Sequence, residues 1–169
     1  MNVILREVKP EDGKYIVAWR AADNVKKHCM DKAPITIESN EKFFNDNVLT
    51  GKYKQFMVEC VVEEYPVTYP IATVYLKNID CKNNCCELGM FTSDKGEWND
   101  EVKRNALTQL LKKASYDYKM RTVYTDVIVG NADELELMQS VGFKIQDTVE
   151  LDRTGISSKQ RVIRLVIIV

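Results

Sequence analysis

The fold follows from the residues between Cys85 and Lys113, which read CCELGMFTSDKGEWNDEVKRNALTQLLKK. Cys85 to Thr92 is apolar and rich in strand formers, and Ser93 to Glu97 has the polar, glycine-containing composition of a turn. Beyond the turn, apolar residues recur at helical spacing: Val102, Ala106, Leu107, Leu110, Leu111 and Ala114. We therefore predict a strand, a loop and a helix. The first N–H groups of that helix would face a cleft beside the strand end, which is a natural anion site.

Short apolar or alternating stretches on either side predict six more strands: Val3–Val8, Phe56–Val62, Ile71–Leu76, Arg121–Val129, Phe143–Leu151 and Val162–Val169. The polar segments between them predict turns at Glu63–Tyr69, Lys77–Asn84 and Asp152–Lys159. Among these connections, Glu63–Tyr69 contains Pro66 and is interpreted as a hairpin loop.

Three further helices are predicted. The first carries Tyr15, Ile16 and Trp19 on its apolar face, breaks near Asp23 and resumes through Val25 to Met30. The next, with Phe43, Phe44, Val48 and Leu49, is expected to be capped by Ser39 and to end at Gly51. The last follows Gly130 and ends at Gly142.

The predicted order is β-α-α-β-β-β-α-β-α-β-β. Because strands outnumber helices and several neighbouring strands are joined by tight turns, we expect an α+β fold. It would have a mixed, mostly antiparallel central sheet of about seven strands flanked by about four helices. A chain of 169 residues predicts a single domain, spanning 1–169.

Composition narrows the choice of partners. The chain has 24 basic and 25 acidic residues and a formal net charge of -1, which argues against a nucleic-acid or membrane-surface partner attracted by bulk charge. Residues 1–9 contain no apolar run of the kind found in a leader peptide, and the longest apolar stretch, Leu165 to Val169, is far shorter than a membrane span. We therefore expect a cytoplasmic protein.

The five cysteines predict free thiols in a reducing compartment, because their number is odd and no leader is evident. Cys81, Cys85 and Cys86 lie close together in sequence and raise the question of a metal site. A zinc site needs about four ligands, and the single histidine, His28, is remote from them in sequence. We expect no metal, and interpret these cysteines as small, semi-buried residues beside a hairpin.

The order of elements and several local motifs resemble the GNAT superfamily of acyl-CoA-dependent N-acyltransferases, over essentially the whole chain. The matching pieces are Trp19-Arg20, Asn78-Ile79-Asp80, Glu87-Leu88-Gly89, Asn131 and Val141-Gly142-Phe143. The pattern is similar to that of the ribosomal-protein N-terminal acetyltransferases and the nucleotide-amino-sugar N-acetyltransferases. The segment from Trp19 to Phe44 favours the amino-sugar group.

The resemblance implies acetyl-CoA as co-substrate. In the family, the pantetheine arm lies where the central strand separates from the fifth strand, which corresponds to Met90, Phe91 and Thr92 here. The pyrophosphate is held at the start of the third helix, which corresponds to Trp98, Asn99, Lys103 and Arg104. The resemblance also implies that Asn131 contacts the coenzyme arm, although Asn131 is equally suited to be the N-cap of the last helix.

The acceptor would be a small-molecule amine, such as a nucleotide-linked amino sugar, or a protein N-terminus. Glu87 is the candidate catalytic base, working through a water; the alternative is a strand carboxylate held by a cross-strand partner. Trp19 and Arg20 are candidates for the acceptor pocket; the alternatives are a core tryptophan and a solvated arginine. A homodimer is possible if the apolar last strand pairs with an edge of another subunit.

The chain departs from the family in the pyrophosphate loop. The family pattern, Gln/Arg-x-x-Gly-x-Gly/Ala, falls on Trp98–Lys103, and Glu101 and Lys103 stand at the glycine positions. Four carboxylates surround the site: Asp94, Glu97, Asp100 and Glu101. They would repel a pyrophosphate, and Lys95, Lys103 and Arg104 would offset only part of that repulsion. On the alternative interpretation, Asn99 caps the helix and the acidic first turn satisfies the helix dipole internally.

A second departure concerns the leaving group. Many family members place a tyrosine seven residues after the asparagine to protonate the thiolate, and here that position is Met138, which has no proton to donate. Two hypotheses result. The first is an N-acetyltransferase using acetyl-CoA, and the second is a non-catalytic module of the same fold whose pyrophosphate loop no longer works.

Overall fold

The computed structural model of the chain describes residues 2–29, 31, 33–65, 67–92, 96–153 and 156–169, and only the backbone of 153 and 156–158. The middle of the turn predicted after Thr92, residues 93–95, lies outside the described residues. So do Met30 at the end of the first predicted helix, Pro66 in the predicted hairpin loop and the centre of the predicted turn at 152–159.

Seven strands form one sheet in the order β1-β2-β3-β4-β5-β7-β6. Neighbouring strands are antiparallel except β4 and β5, which run parallel. The predicted mixed, mostly antiparallel sheet is therefore confirmed. The strands are β1 Val3–Glu7, β2 Lys54–Val62, β3 Val67–Asp80, β4 Cys85–Phe91, β5 Thr122–Ile128, β6 Lys144–Arg153 and β7 Ile156–Ile168.

Five α-helices lie within the described residues: α1 Gly13–Ala21, α2 Asp23–His28, α3 Ile37–Phe43, α4 Asp100–Tyr116 and α5 Ala132–Val141. The count exceeds the predicted four because the break expected near Asp23 separates α1 from α2 at Ala22, whose backbone is extended. None of the described helices is long and apolar enough to span a bilayer.

The third strand is longer than predicted. We expected it over Ile71–Leu76, but it begins at Val67 and runs to Asp80. Pro70 is tolerated inside it because it lies beside a register shift in β2 between Val58 and Glu59, where the ladder is already irregular. A second register shift lies between Lys77 and Asp80, and β3 continues to Asp80 through residues for which the sequence predicted a turn.

The cap of α3 also differs from the prediction. Thr36, and not Ser39, is the N-cap: its Oγ1 accepts a hydrogen bond from Ser39 N at 3.1 Å. Ser39 Oγ in turn accepts from Thr36 N at 2.9 Å. Because Ser39 completes a reciprocal capping box, the helix starts one turn earlier. It continues as a π-helical turn over Phe44–Val48, and the turn that follows reaches Gly51 at φ 79°.

The last strand is not an edge. β7 pairs with β5 on one side and with β6 on the other, so the expectation that its edge pairs with another subunit is wrong. β6 continues through Asp152, which pairs with Lys159 of β7, so both ends of the turn predicted at 152–159 belong to strands.

The core has two parts, one on each face of the sheet. All six residues predicted from the periodicity of α4 are buried, and they pack on the larger cluster together with Phe56 and Val58 of β2. Met57, between those two residues, belongs to a smaller cluster with Ile16 and Trp19 of α1. Since successive strand residues point to opposite faces, α1 and α4 cover opposite sides of the sheet.

A three-residue ion network ties β1 to β2 and to the turn before α1. The Arg6 guanidinium donates to both carboxylate oxygens of Asp12, at 2.9 and 3.0 Å, and to Glu59 Oε1 at 2.7 Å. Asp12 is 4% exposed and Glu59 is 8% exposed. Burial alone would raise the pKa of Asp12, but the hydrogen bonds from Arg6 and from the Lys9 backbone outweigh it and lower that pKa.

We predict that Arg6→Met lowers the free energy of unfolding by about 3 kcal/mol, because it leaves two buried carboxylates without their cation. Urea unfolding at neutral pH measures the loss, with Arg161→Met on the exposed part of β7 as the matched control. The difference in free energy of unfolding between the wild type and Arg6→Met should become smaller below about pH 4, because protonation of Asp12 removes its ion pair with Arg6 in the wild type. A loss below about 1 kcal/mol would show that Arg6 is an ordinary surface ion pair.

Candidate active site

The two central parallel strands separate partway along their length. β4 and β5 pair at Cys85–Thr122, Cys86–Val123 and Glu87–Tyr124, and the pairing ends there. Thr125 Oγ1 donates to the Leu88 carbonyl oxygen at 3.2 Å, next to the point of separation. Beyond it, β4 stays paired with β3 up to Phe91. The end of β4 is thus held on one side and faces a gap on the other.

Two cavities meet at this gap. The larger has a volume of about 760 Å³ and extends toward α1 and α3. The smaller, of about 360 Å³, extends toward the first turns of α4 and α5. Both are lined by the same five residues, His28, Cys29, Met90, Phe91 and Glu134, which we call the junction. A long ligand entering between the strands would therefore pass the junction.

Most of the residues predicted for the coenzyme lie around the smaller cavity. Met90 and Phe91 are at the junction, and the smaller cavity is also lined by Thr92, Trp98, Lys103 and Asn131. Asn99 is the N-cap of α4, where its Oδ1 accepts from Val102 N at 3.1 Å. Arg104 is exposed and lines neither cavity.

Two of the four acidic residues around the start of α4, Asp100 and Glu97, are bonded to neighbouring side chains. Asp100 pairs with Lys103 at 3.2 Å, and Glu97 accepts a hydrogen bond from the Tyr69 hydroxyl. This bond raises the pKa of Tyr69. Glu101 is exposed on the first turn, and Asp94 lies outside the described residues. The repulsion that the sequence predicted for an anion at this helix end is therefore reduced.

Glu87, the predicted base, lines the larger cavity but is held by two neighbours. Lys77 Nζ lies 2.8 Å from its Oε1, and Asn78 Nδ2 donates to its Oε2 at 2.8 Å. Burial alone would lower the pKa of Lys77, but the Glu87 carboxylate outweighs it and raises that pKa. Lys77 therefore stays charged, and each carboxylate oxygen of Glu87 is already bonded to a neighbour.

The two residues predicted for the acceptor pocket point different ways. Trp19 is 8% exposed and packs in the smaller core cluster. Arg20 lines the larger cavity, where its guanidinium lies 5.7 Å from the centre of the Phe91 ring. Its Nη2 also donates to the backbone oxygen of Asp31 at 3.3 Å.

An aromatic wall along the larger cavity was not predicted from the sequence. Phe43 and Tyr53 meet edge to face at 4.9 Å between ring centres, and Tyr53 stacks on Tyr75 at 5.6 Å. Tyr75 lies across Gly89, where an added Cβ would overlap the tyrosine ring. Gly89 is thus required for the Tyr75 ring to lie flat on β4. Burial raises the pKa of Tyr75, which keeps its hydroxyl neutral.

The sequence analysis also missed Glu134. This residue is on the first turn of α5 and is partly buried at the junction. Asn131 holds the N-cap position of α5, but its side chain makes no capping bond and its Nδ2 donates to Glu134 Oε2 at 2.5 Å. Burial raises the pKa of Glu134 to about 7, and the Lys103 ammonium limits the rise.

A signal for Glu134 was present in the sequence. It lies three and four residues before Leu137 and Met138, which are buried, so it belongs to the inward face of α5.

All five cysteines are free thiols. Within the described part of the chain, no three histidine, cysteine or carboxylate side chains are grouped as metal ligands.

Comparison with known proteins identifies the family. The model of the acetyltransferase (GNAT) domain matches residues 2–144. The chain therefore belongs to the GNAT acetyltransferase family and is an N-acetyltransferase whose co-substrate is acetyl-CoA. Family membership favours the first of our two hypotheses over the non-catalytic module.

The fold is similar to that of spermidine N-acetyltransferase from Vibrio cholerae in its crystal structure with CoA and spermine. The TM-score is 0.84 at 17% identity, over 98% of this chain and 95% of that chain. A dodecameric structure of the Vibrio cholerae enzyme in an intermediate state gives a TM-score of 0.76 at 18% identity, over 98% and 93%. No curated protein sequence matches the chain significantly.

We predict that Glu134 makes the wild type lose stability as the pH rises. Because the folded pKa of about 7 lies above the ordinary 4.5, the native state keeps a proton that the unfolded chain releases between these values. The free energy of unfolding should fall across this window by about 1–3 kcal/mol. Glu134→Gln should lack this fall, so it gains on the wild type between pH 5 and pH 8.

Urea unfolding of both proteins at several pH values measures this gain. Glu136→Gln, on the exposed face of the same helix, should follow the wild type at every pH. If Glu134→Gln also follows the wild type, Glu134 titrates like an exposed carboxylate and burial has no effect on it.

Proposed function

We propose that the acceptor is a cationic small molecule with a primary amine, of which a polyamine is the first to test. The charges around the larger cavity support this. Five of its described lining residues are acidic and three are lysine or arginine: Asp31, Glu87, Asp126, Glu134 and Asp152, against Arg20, Lys77 and Arg164.

Two of the three cations are already paired. Lys77 lies against Glu87, and Arg164 donates to both oxygens of Asp126 at 2.8 and 2.7 Å. Arg20 is then left against Asp31 and Asp152, without counting Glu134, which is about half ionised near neutral pH. Such a lining attracts an ammonium and repels the two phosphates of a nucleotide-linked amino sugar. A cationic amine therefore suits the cavity better than the nucleotide sugar favoured by the sequence pattern.

The aromatic wall supports the same substrate class. The rings of Phe43, Tyr53 and Tyr75 offer apolar area to an alkyl chain and ring faces to an ammonium, and cation–π contacts of this kind contribute about 0.5–2 kcal/mol each. The structural neighbour from Vibrio cholerae, which acts on spermidine, adds to this support. A protein N-terminus is the second candidate, since it also carries a primary amine that is cationic at neutral pH.

For acetyl-CoA, we propose that the pantetheine arm runs along the open side of β4 at Met90, Phe91 and Thr92. The pyrophosphate would lie at the start of α4 near Trp98, Asn99 and Lys103. The fit is supported by the open strand edge and by the N-terminus of a 17-residue helix, whose dipole favours an anion. Acetyl-CoA supplies the acyl group as a thioester.

The chemistry asked of the chain is modest. The amine must lose a proton before its nitrogen can attack, and Glu87 is the proposed acceptor of that proton through a water. Arg20 is proposed to orient the acceptor, and Trp19 to support the wall of the pocket from the core. Self-association is also part of the proposal, with β6 as an available edge, since β6 pairs with β7 alone among the described strands.

A panel of amines tests the substrate class by the release of CoA thiol. We expect spermidine to exceed a nucleotide-linked amino sugar and an N-terminal peptide at least tenfold in kcat/KM, with KM for spermidine rising as salt screens the acidic cavity. Turnover of the nucleotide sugar alone would overturn the cationic class. Binding of acetyl-CoA in calorimetry without turnover of any amine would support the non-catalytic module instead.

Two neighbouring cations on α4 test the coenzyme site. We predict that Lys103→Met raises the Kd for acetyl-CoA about fivefold to tenfold, because Lys103 lines the smaller cavity and one charge–phosphate contact contributes about 1 kcal/mol. Arg104→Met, the matched control on the exposed side, should stay within twofold. Calorimetry with acetyl-CoA measures both. A larger rise in Kd for Arg104→Met than for Lys103→Met would place the pyrophosphate outside the smaller cavity.

A further inference from the structure

The junction has three side chains that can exchange a proton: His28, Cys29 and Glu134. His28 is exposed at the end of α2, and Cys29 follows it. Glu134 is held on the first turn of α5 by the hydrogen bond from Asn131. It alone brings a carboxyl group to the place where the two cavities meet.

The hydrogen bond from Asn131 also decides where the proton of Glu134 lies. The Asn131 amide nitrogen has only hydrogens to offer, so Glu134 Oε2 must accept. The proton of the neutral acid is therefore on Oε1, the oxygen not bonded to Asn131. Met138, four residues further along the inward face of α5, is 1% exposed and has no proton to give.

We infer that Glu134 is the acid that protonates the sulfur of coenzyme A as the acetyl group leaves. The inference rests on the proposed path of the coenzyme arm through the junction. It assigns a catalytic residue to a position where the sequence shows only an ordinary helix glutamate. It also provides the proton that Met138 cannot give.

The proposed acetyl transfer forms one bond, breaks another and moves two protons. The amine nitrogen forms a bond to the acetyl carbon, and the bond from that carbon to sulfur breaks with its electron pair on sulfur. Glu134 Oε1 gives its proton to the sulfur and becomes a carboxylate. The proton released by the nitrogen passes through a water to Glu87, which releases it to solvent, and Glu134 regains a proton from solvent before the next turnover.

The surroundings of Glu134 suit this exchange. Its pKa of about 7 keeps much of it protonated near neutral pH, and transfer to a thiolate, whose acid has a pKa of about 8.5, is favourable. The smaller cavity is lined by Lys103 on α4 and by Asp133 at the start of the same helix as Glu134, and both cavities are lined by His28 at the end of α2 and by Cys29. The other charged and titratable groups line the larger cavity: Arg20, Asp31, Tyr53, Tyr75, Lys77, Glu87, Asp126, Asp152 and Arg164. Lys103 is the cation that opposes the rise of the pKa of Glu134.

The test compares Glu134→Gln, which keeps the shape but cannot give a proton, with Glu134→Asp, which keeps the acid on a shorter arm. Glu136→Gln on the exposed face of α5 is the control. We expect Glu134→Gln to lower kcat about 10²-fold to 10³-fold while the Kd for acetyl-CoA changes less than threefold. Glu134→Asp should recover part of kcat. The wild-type kcat should fall above about pH 7, and this limb should be absent in Glu134→Gln.

A second readout does not use turnover. The ultraviolet absorbance of the thiolate gives the pKa of the thiol of bound coenzyme A in the complex without acceptor. In the wild type, the nearby Glu134 carboxylate should hold this pKa above that of free coenzyme A, and Glu134→Gln should lower it by about one unit. A purely structural role for Glu134 would leave the thiol pKa unchanged.

The possible failures are distinguishable. If the wild type acetylates amines and Glu134→Gln keeps kcat within threefold and the thiol pKa unshifted, Glu134 is not the acid, and the proposed function stands. If the wild type binds acetyl-CoA and acetylates no amine, the proposed function fails first, and the thiol pKa still reports whether Glu134 faces the sulfur.

Discussion

Parallel pairing between β4 and β5 lasts for three residue pairs, and the cleft exists because it stops there. The sheet can open at its centre without losing stability because each strand has a second partner. β4 is held by β3 up to Phe91, and β5 is held by β7 up to Ile128. The backbone groups along the open edge then need water or a ligand, since buried N–H and C=O groups are rarely left unbonded. A coenzyme arm with amide groups of its own meets that need.

The charge at the start of α4 shows how neighbours change the meaning of a sequence motif. As a sequence, Trp98–Lys103 lacks the glycines of the family and carries acids where an anion should bind. In the folded chain, Tyr69 from β3 binds Glu97 and Lys103 neutralises Asp100 one turn along the helix. The site therefore repels an anion less than its sequence suggests. The same helix end remains occupied in part by its own cap, Asn99.

The fold could be predicted from the sequence to the extent that local patterns control it. The stripe on α4 and the alternation in β5 reflect burial on one face, so periodicity identifies them. The full length of β3 was not predicted because a proline such as Pro70 normally ends a strand. Pro70 is tolerated here because of an irregularity in β2, which is distant in sequence. Thr36 was not predicted as the N-cap because Thr36 and Ser39, three positions apart, can each begin a helix. Only the structure shows that the two form a reciprocal capping box.

The site was less predictable, because it depends on which elements meet. Arg20 and Trp19 are neighbours in sequence, yet one faces the larger cavity and the other lies in the core, as the helical rotation between them requires. Glu134 and the aromatic wall of Phe43, Tyr53 and Tyr75 come from different parts of the chain. Their proximity follows from the sheet order, which no local motif encodes.

The most direct measurement is the backbone amide spectrum of the protein during a titration with coenzyme A. If the arm lies in the gap between β4 and β5, saturable shifts should concentrate on Gly89 to Thr92 and on the start of α4. The outer strands β1 and β6 should stay unchanged. Saturable binding that leaves Gly89 to Thr92 unshifted would contradict this and place the coenzyme elsewhere on the molecule.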